Sequence, residues 1–157
     1  MSPHLPDIHK ENLEQESTHA TDEARMILPG VQAILGFQLI AVFNQRFETL
    51  SALEQYAHLA AFFLVALAMG LLITPAAYHR QVERGAVSRE FVDLASTLLS
   101  LALMPLIAGL AIDAYLLVRL VVHDTAPALA CAGALALVLV GLWFGLPQLA
   151  RRRRDRQ

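Results

Sequence analysis

Four long apolar blocks, over about residues 26–43, 57–78, 91–122 and 126–149, constrain this chain more than any motif in it. The shortest has eighteen residues, and at about 1.5 Å of rise per residue a helix of that length approaches a hydrocarbon core about 30 Å thick. In lipid no water satisfies a bare backbone, so each block is expected to close its own hydrogen bonds as a helix. Of the 157 residues, 56% are hydrophobic and only 17% charged, below the quarter usual in soluble domains. Collagen, disulfide-scaffold and disordered chains are excluded on the same grounds. Acids rather than a basic segment precede the first block, and no small-residue cleavage site follows it, so it reads as a span and not as a removable leader. Four spans with short connections predict an all-α fold, an antiparallel four-helix transmembrane bundle.

Basic residues give the direction. Ten of the twelve Lys and Arg fall in the amino-terminal tail (Lys10, Arg25), between the second and third spans (Arg80, Arg84, Arg89) and in the carboxyl tail (Arg151, Arg152, Arg153, Arg154, Arg156). Only Arg46 and Arg119 fall on the other side. Basic side chains resist translocation, so both termini are expected in the cytoplasm. The organisation is then a polar, acidic segment 1–25, a membrane domain 26–149 and a basic tail 150–157. In the first segment Ile8, Leu13 and Ala20 are too sparse for an apolar stripe, which predicts disorder or a weak surface helix. The arginine tail lacks the interleaved aromatics of a nucleic-acid binder. It reads as a topology anchor that contacts anionic lipid or an acidic partner, and no nucleic-acid partner is expected. Cys131 stands alone, so no intramolecular disulfide or CxxC site is available.

Local signals mark the ends. Ser51 and Glu54 have capping-box spacing, which predicts a helix starting near Ala52 with Gly85 as its stop. Ser88 suits the start of the third helix, and Asp124 or Thr125 before Pro127 the start of the fourth. Pro75 and Pro105 lie inside spans, where each removes a backbone bond. Gly141 with Gly145, Ala130 with Ala134 and Ala66 with Gly70 repeat a small-xxx-small spacing that lets helix backbones approach closely, within one bundle or between subunits.

Polar groups inside the spans are the candidate sites, because an ionisable group at bilayer depth is costly unless paired or hydrated. Asp113 is the sharpest. It is read as an outer carboxylate paired with Arg46 or as a proton or cation site, and Arg119, six residues on, points to a different face. Gln38 reads as an amide in the bundle interior, and Gln45 shares its face at seven-residue spacing. Tyr78, His79 and Arg80 with Asp93 make a polar cluster across the cytoplasmic hairpin, where His79 reads as an interfacial histidine bonded to a lipid headgroup or backbone, or as a pH-sensitive switch near a cytoplasmic gate. His4, His9 and His19 lack the i, i+4 spacing of a metal pair, so neither a metal site nor a cofactor is expected. There is no GxSxG, HExxH or Walker-type loop, and no enzymatic activity is expected.

The strings Leu28-Pro29-Gly30-Val31-Gln32, Asn44-Gln45-Arg46-Phe47, Pro75-Ala76-Ala77-Tyr78-His79-Arg80 and Leu142-Trp143-Phe144-Gly145-Leu146-Pro147 together carry a likeness. Over about residues 25–147 the chain resembles a bacterial family of small four-helix membrane proteins of unknown function, some members of which carry a sodium:proton antiporter label. The resemblance implies the four-helix fold, the bacterial inner membrane and polar motif positions at Gln32, Gln45, Arg46, Tyr78, His79 and Arg80. It implies no mechanism. Two functional expectations follow: a homo-oligomeric protein that permeates or senses a proton or cation, or a structural or accessory subunit of a larger membrane complex.

Overall fold

The computed structural model describes residues 13–82 and 88–154, and within them the chain is all-α with no strand. Helix α1 (Leu13–Ala41) is followed by a 3₁₀ turn (Gln45–Thr49), α2 (Ala52–Val82), α3 (Arg89–Val122) and α4 (Thr125–Val140). A π-helical turn (Gly141–Gly145) then leads into α5 (Leu146–Arg154). Four stretches are long and apolar enough to cross a membrane: Asp22–Ala41, Ala52–Val82, Arg89–Val122 and Thr125–Arg154. At about 1.5 Å per residue, α2 and α3 exceed the thickness of a hydrocarbon core.

The ends follow cap chemistry. α1 starts at Leu13, well inside the acidic segment, because Leu13–Arg25 holds no glycine or proline and several good helix formers. At the start of α2 the Ser51 backbone N–H donates to Glu54 Oε2 at 2.9 Å, and the Glu54 N–H donates to Ser51 Oγ at 3.3 Å, which is the reciprocal box read from the sequence. Gly85 lies outside the described residues. Ser88 caps α3 by accepting from the Phe91 N–H at 3.1 Å, and Asp124 caps α4 by accepting from the Ala126 N–H at 3.0 Å. Between α3 and α4 His123 takes the left-handed conformation (φ 58°) and ends α3 as its C-cap, with its N–H donating to the Arg119 carbonyl. Pro29, Pro75 and Pro105 all sit inside continuous helices. Pro147 has no N–H to give to the carbonyl four residues back, and the helix widens to the π-helical turn immediately before it.

The core is a seam of three helices. On α2 the buried residues are Glu54, His58, Ala61, Val65, Ala68, Leu72 and Pro75, separated alternately by four and three positions. On α3 the row Ala95, Leu99, Ala102, Leu106, Gly109 continues at the same spacing to Asp113 and Leu116. On α1, Ala24, Val31 and Gln38 recur every seven. This is the period of about 3.5 residues that keeps one stripe facing its neighbours. α2 and α3 approach closely at Gly109, where an added Cβ would lie 2.7 Å from Val65 Cγ2 and 3.2 Å from the Ala61 carbonyl oxygen.

The notches expected elsewhere are open within this chain: a Cβ on Gly70 or Gly141 would meet nothing within 4 Å, and one on Gly145 only the Val140 carbonyl at 4.0 Å. Ala130 and Ala134 are exposed, while Ala128 and Ala132, two positions earlier, are the buried pair of α4. The expectation from spacing is two residues out of phase, because spacing does not say which stripe faces α3. Only 6% of the fourth apolar window is buried, against 28% and 33% for α2 and α3.

Candidate functional site

Where the seam approaches the 3₁₀ turn its inward positions become polar. Gln38, on α1, donates from Nε2 to Asp113 Oδ2, on α3, at 2.6 Å. His58, one turn past Glu54 on α2, places Nε2 at 2.9 Å from the Gln38 carbonyl oxygen and Nδ1 at 3.9 Å from Asp113 Oδ1. A carbonyl oxygen only accepts, so Nε2 carries a proton and Nδ1 is the nitrogen turned to the carboxylate. The imidazole side chain is 9% exposed and that of Asp113 26%. Phe47, from the 3₁₀ turn, meets the imidazole edge-on, with ring centroids 5.2 Å apart.

Beside this triad Arg119 Nε lies 3.1 Å from Glu54 Oε1. That nitrogen nevertheless makes no hydrogen bond, so its N–H is not aimed at the oxygen and the contact is an ion pair without directional bonding. Glu54 is engaged on its other side by the Ser51 hydroxyl at 2.8 Å, which fixes the carboxylate at the mouth of the helix. A cleft of about 460 Å³ opens against the triad, walled chiefly by Ile34, Phe37, Phe47, Leu116 and Leu120, with Asn44 and Arg46 also on its lining.

Of the residues expected here from the sequence, Gln38 and Asp113 come together. Arg46 does not pair with Asp113: it is exposed in the 3₁₀ turn and makes no ion pair among the described residues, because α1 ends at Ala41 and leaves it free to reach water. Gln45 leaves the Gln38 face for the same reason, since seven-residue spacing aligns side chains only while the helix continues. Sequence reasoning misses Glu54 and His58 as site residues. Their signal is the i, i+4 spacing on the stripe that runs on through Ala61, Val65 and Ala68. It also passes over Arg119, which diverges from Asp113 on the same helix, whereas the partner of Arg119 is on α2.

At the opposite end Tyr78 and His79 gather on the buried Phe91 ring, with centroids 6.1 and 5.3 Å away, and Tyr78 stacks nearly parallel at 14°. Arg80 and Asp93 are both exposed there, and the Asp93 carbonyl accepts from Thr97 Oγ1 at 2.8 Å. Arg151–Arg154 are exposed along α5. Among the described residues no group of three His, Cys, Asp or Glu is placed to hold a metal ion. His4, His9 and Arg156 lie outside them.

The sequence matches the model of a family of unknown function (DUF6328) over residues 7–147. No curated protein and no solved structure matches the chain.

Proposed function

The chain belongs to that family of unknown function, so its role rests on its own geometry, and we propose that it is a multi-span inner-membrane protein that binds and senses a proton, or a cation in its place, at Asp113, His58 and Gln38. In this reading the helices run antiparallel, both termini are cytoplasmic and the cleft opens to the outer side, as the distribution of Lys and Arg supports. The lipid bilayer is its solvent and a homo-oligomer its working form. It acts without enzymatic chemistry, cofactor or nucleic-acid partner.

The observation that carries the reading is the Nδ1 of His58 turned toward Asp113 Oδ1. With the imidazole neutral and the carboxylate ionised, a nitrogen lone pair would face a negative oxygen across 3.9 Å. One proton, on Nδ1 or on the carboxyl, turns that repulsion into attraction, so the site is built around a proton that it can take up and release. The other charged and titratable groups about it are Arg46 on the cleft lining, the Glu54–Arg119 pair one turn away and Tyr115 beside Glu54. Beyond His58 the seam continues through Ala61, Val65, Ala68, Leu72, Leu99, Ala102 and Leu106. That apolar stretch offers no polar path through one bundle, which favours sensing. Permeation would have to run between subunits.

The deciding experiment is proton uptake by the purified protein in lipid nanodiscs, followed by pH-difference infrared spectroscopy. A protonated-carboxyl band that disappears in Asp113→Asn is the expected result, and an unchanged spectrum would overturn the assignment. Sodium or proton flux in proteoliposomes at the level of empty vesicles is expected for a sensor. A structural or accessory-subunit role is the second reading, favoured by the sparsely buried fourth span and the open space at Gly133 and Gly141. A partner that co-purifies stoichiometrically with the wild-type chain in mild detergent, and no longer does so with Gly141→Val, would establish it.

A further inference from the structure

The same cleft has more to bind than a proton. Gln38 is 4% exposed, and its Nε2 is spent on Asp113 while its Oε1, buried beside the cleft, has no hydrogen-bond partner. A buried acceptor left empty is unfavourable, and it marks a place where a donor fits. Charge points the same way: Arg119 is held by Glu54, and Arg46 makes no ion pair with the carboxylate. Once its proton is given up, the triad offers an ionised carboxylate and an amide oxygen without a partner, and although Arg46 also lines the cleft it does not pair with that carboxylate, so a ligand that answers the triad donates hydrogen bonds and carries positive charge.

The walls define the rest of the ligand. About 460 Å³ falls within the size of small-molecule sites. Ile34, Leu116 and Leu120 are aliphatic, and Phe37 and Phe47 place aromatic rings along the cleft, where a cation gains from the ring faces. A bare metal ion is poorly served, since hard cations take about six or more oxygen ligands and the triad supplies one carboxylate and one amide oxygen. Resting on the binding site proposed above, we infer that the cleft takes an amphipathic ammonium ion, a primary or secondary amine with an aliphatic or aryl body. Its N–H groups bridge Asp113 and Gln38 Oε1, its apolar part lies between α1 and α3, and on entering it displaces the proton held between Asp113 and His58.

The test is calorimetry on the full chain in nanodiscs, with empty nanodiscs subtracted, using 4-phenylbutylamine, its uncharged analogue 4-phenylbutan-1-ol and sodium chloride as probes. Saturable binding of the amine is expected, with release of about one proton per amine bound, read from buffers of different ionisation enthalpy. The alcohol, and the amine on Asp113→Asn, should bind about tenfold or more weakly, because each lacks one side of the charge-assisted contact. Gln38→Leu, which keeps the carboxylate, should weaken the amine while leaving the alcohol unchanged. Where Asp113→Asn fails to fold, the wild-type protein still decides: amine affinity must fall as the pH is lowered and protons reoccupy the site. Equal binding of amine and alcohol overturns the inference, as does binding of the amine without proton release. Absence of amine binding, with the Asp113-dependent proton uptake intact, removes the amine and leaves the proton site. Loss of both removes both.

Discussion

The α1–α2–α3 seam has two ends built on one periodicity and filled with opposite chemistry. At the Phe91 end the inward positions hold Phe91, Ala95, Leu72 and Pro75, and the charged groups Arg80 and Asp93 stay out of the buried stripe. At the Asp113 end the same stripe positions hold Gln38, Glu54, His58 and Asp113. Periodicity thus says which residues face inward, and only the identity at each position says whether that contact is packing or a site. Inward polar groups must satisfy one another, and here the Gln38 amide oxygen and Arg119 Nε remain without hydrogen bonds. Apolar and aromatic side chains occupy the stripe at one end and polar valence is left over at the other.

The largest effect expected from disturbing this contrast is at the apolar end. Phe91 is 2% exposed and carries the rings of Tyr78 and His79. Phe91→Ala should destabilise the bundle by about 3 kcal/mol, the lower part of the range for such truncations, because lipid rewards burial less than water does. Phe47→Ala, a half-buried ring over His58, should cost less, and denaturant titration of both variants in the same detergent compares them directly. A larger loss at Phe47 would mean that the polar end carries the fold.

The next effect separates a close approach made inside the chain from one left open. Gly109→Val would push a side chain into Val65 and the Ala61 carbonyl, and since a backbone oxygen cannot move away the cost should be about 1–3 kcal/mol. It should also separate His58 from Asp113, which lies one turn further along α3, and so weaken proton uptake as well as stability. Gly141→Val has open space and should change monomer stability by less than about 0.5 kcal/mol. A large loss at Gly141 would reveal a partner helix against the π-helical turn of the fourth span.

These pairs also mark how far the sequence can be read. The apolar blocks and the caps at Ser51, Ser88 and Asp124 are legible because hydropathy and capping act over a few residues. Asp113 and Gln38 are legible as polar groups within apolar spans, since either is conspicuous in an apolar run, although the depth of Asp113 is not. Their pairing is not, because it depends on how α1 and α3 are rotated about their axes. Glu54 reads only as a cap, although the same carboxylate also meets Arg119 from another helix. His58 lies at the edge of its apolar block. Gly109 has no local signature at all, because its use depends on where Val65 and Ala61 come to lie.

The smallest effect concerns the two polar contacts at the Asp113 end, which differ in how well they are directed. Gln38 Nε2 to Asp113 is a short, charge-assisted bond at a residue 4% exposed, and losing it leaves buried groups unpaired. Glu54 and Arg119 are close, yet the Arg119 side chain is 31% exposed and its nearest N–H is aimed elsewhere. A double-mutant cycle of Glu54→Gln with Arg119→Met should therefore give a coupling of only about 0.5–1 kcal/mol, in the range of solvent-exposed pairs. The single Glu54→Gln change should cost more than that coupling, since it also weakens the acceptor for Ser51 at the start of α2. A coupling above about 2 kcal/mol would show that Arg119 is locked on Glu54 as a buried pair. The carboxylate would then act as the clasp that sets the distance between α2 and α3, and with it the gap across which His58 faces Asp113.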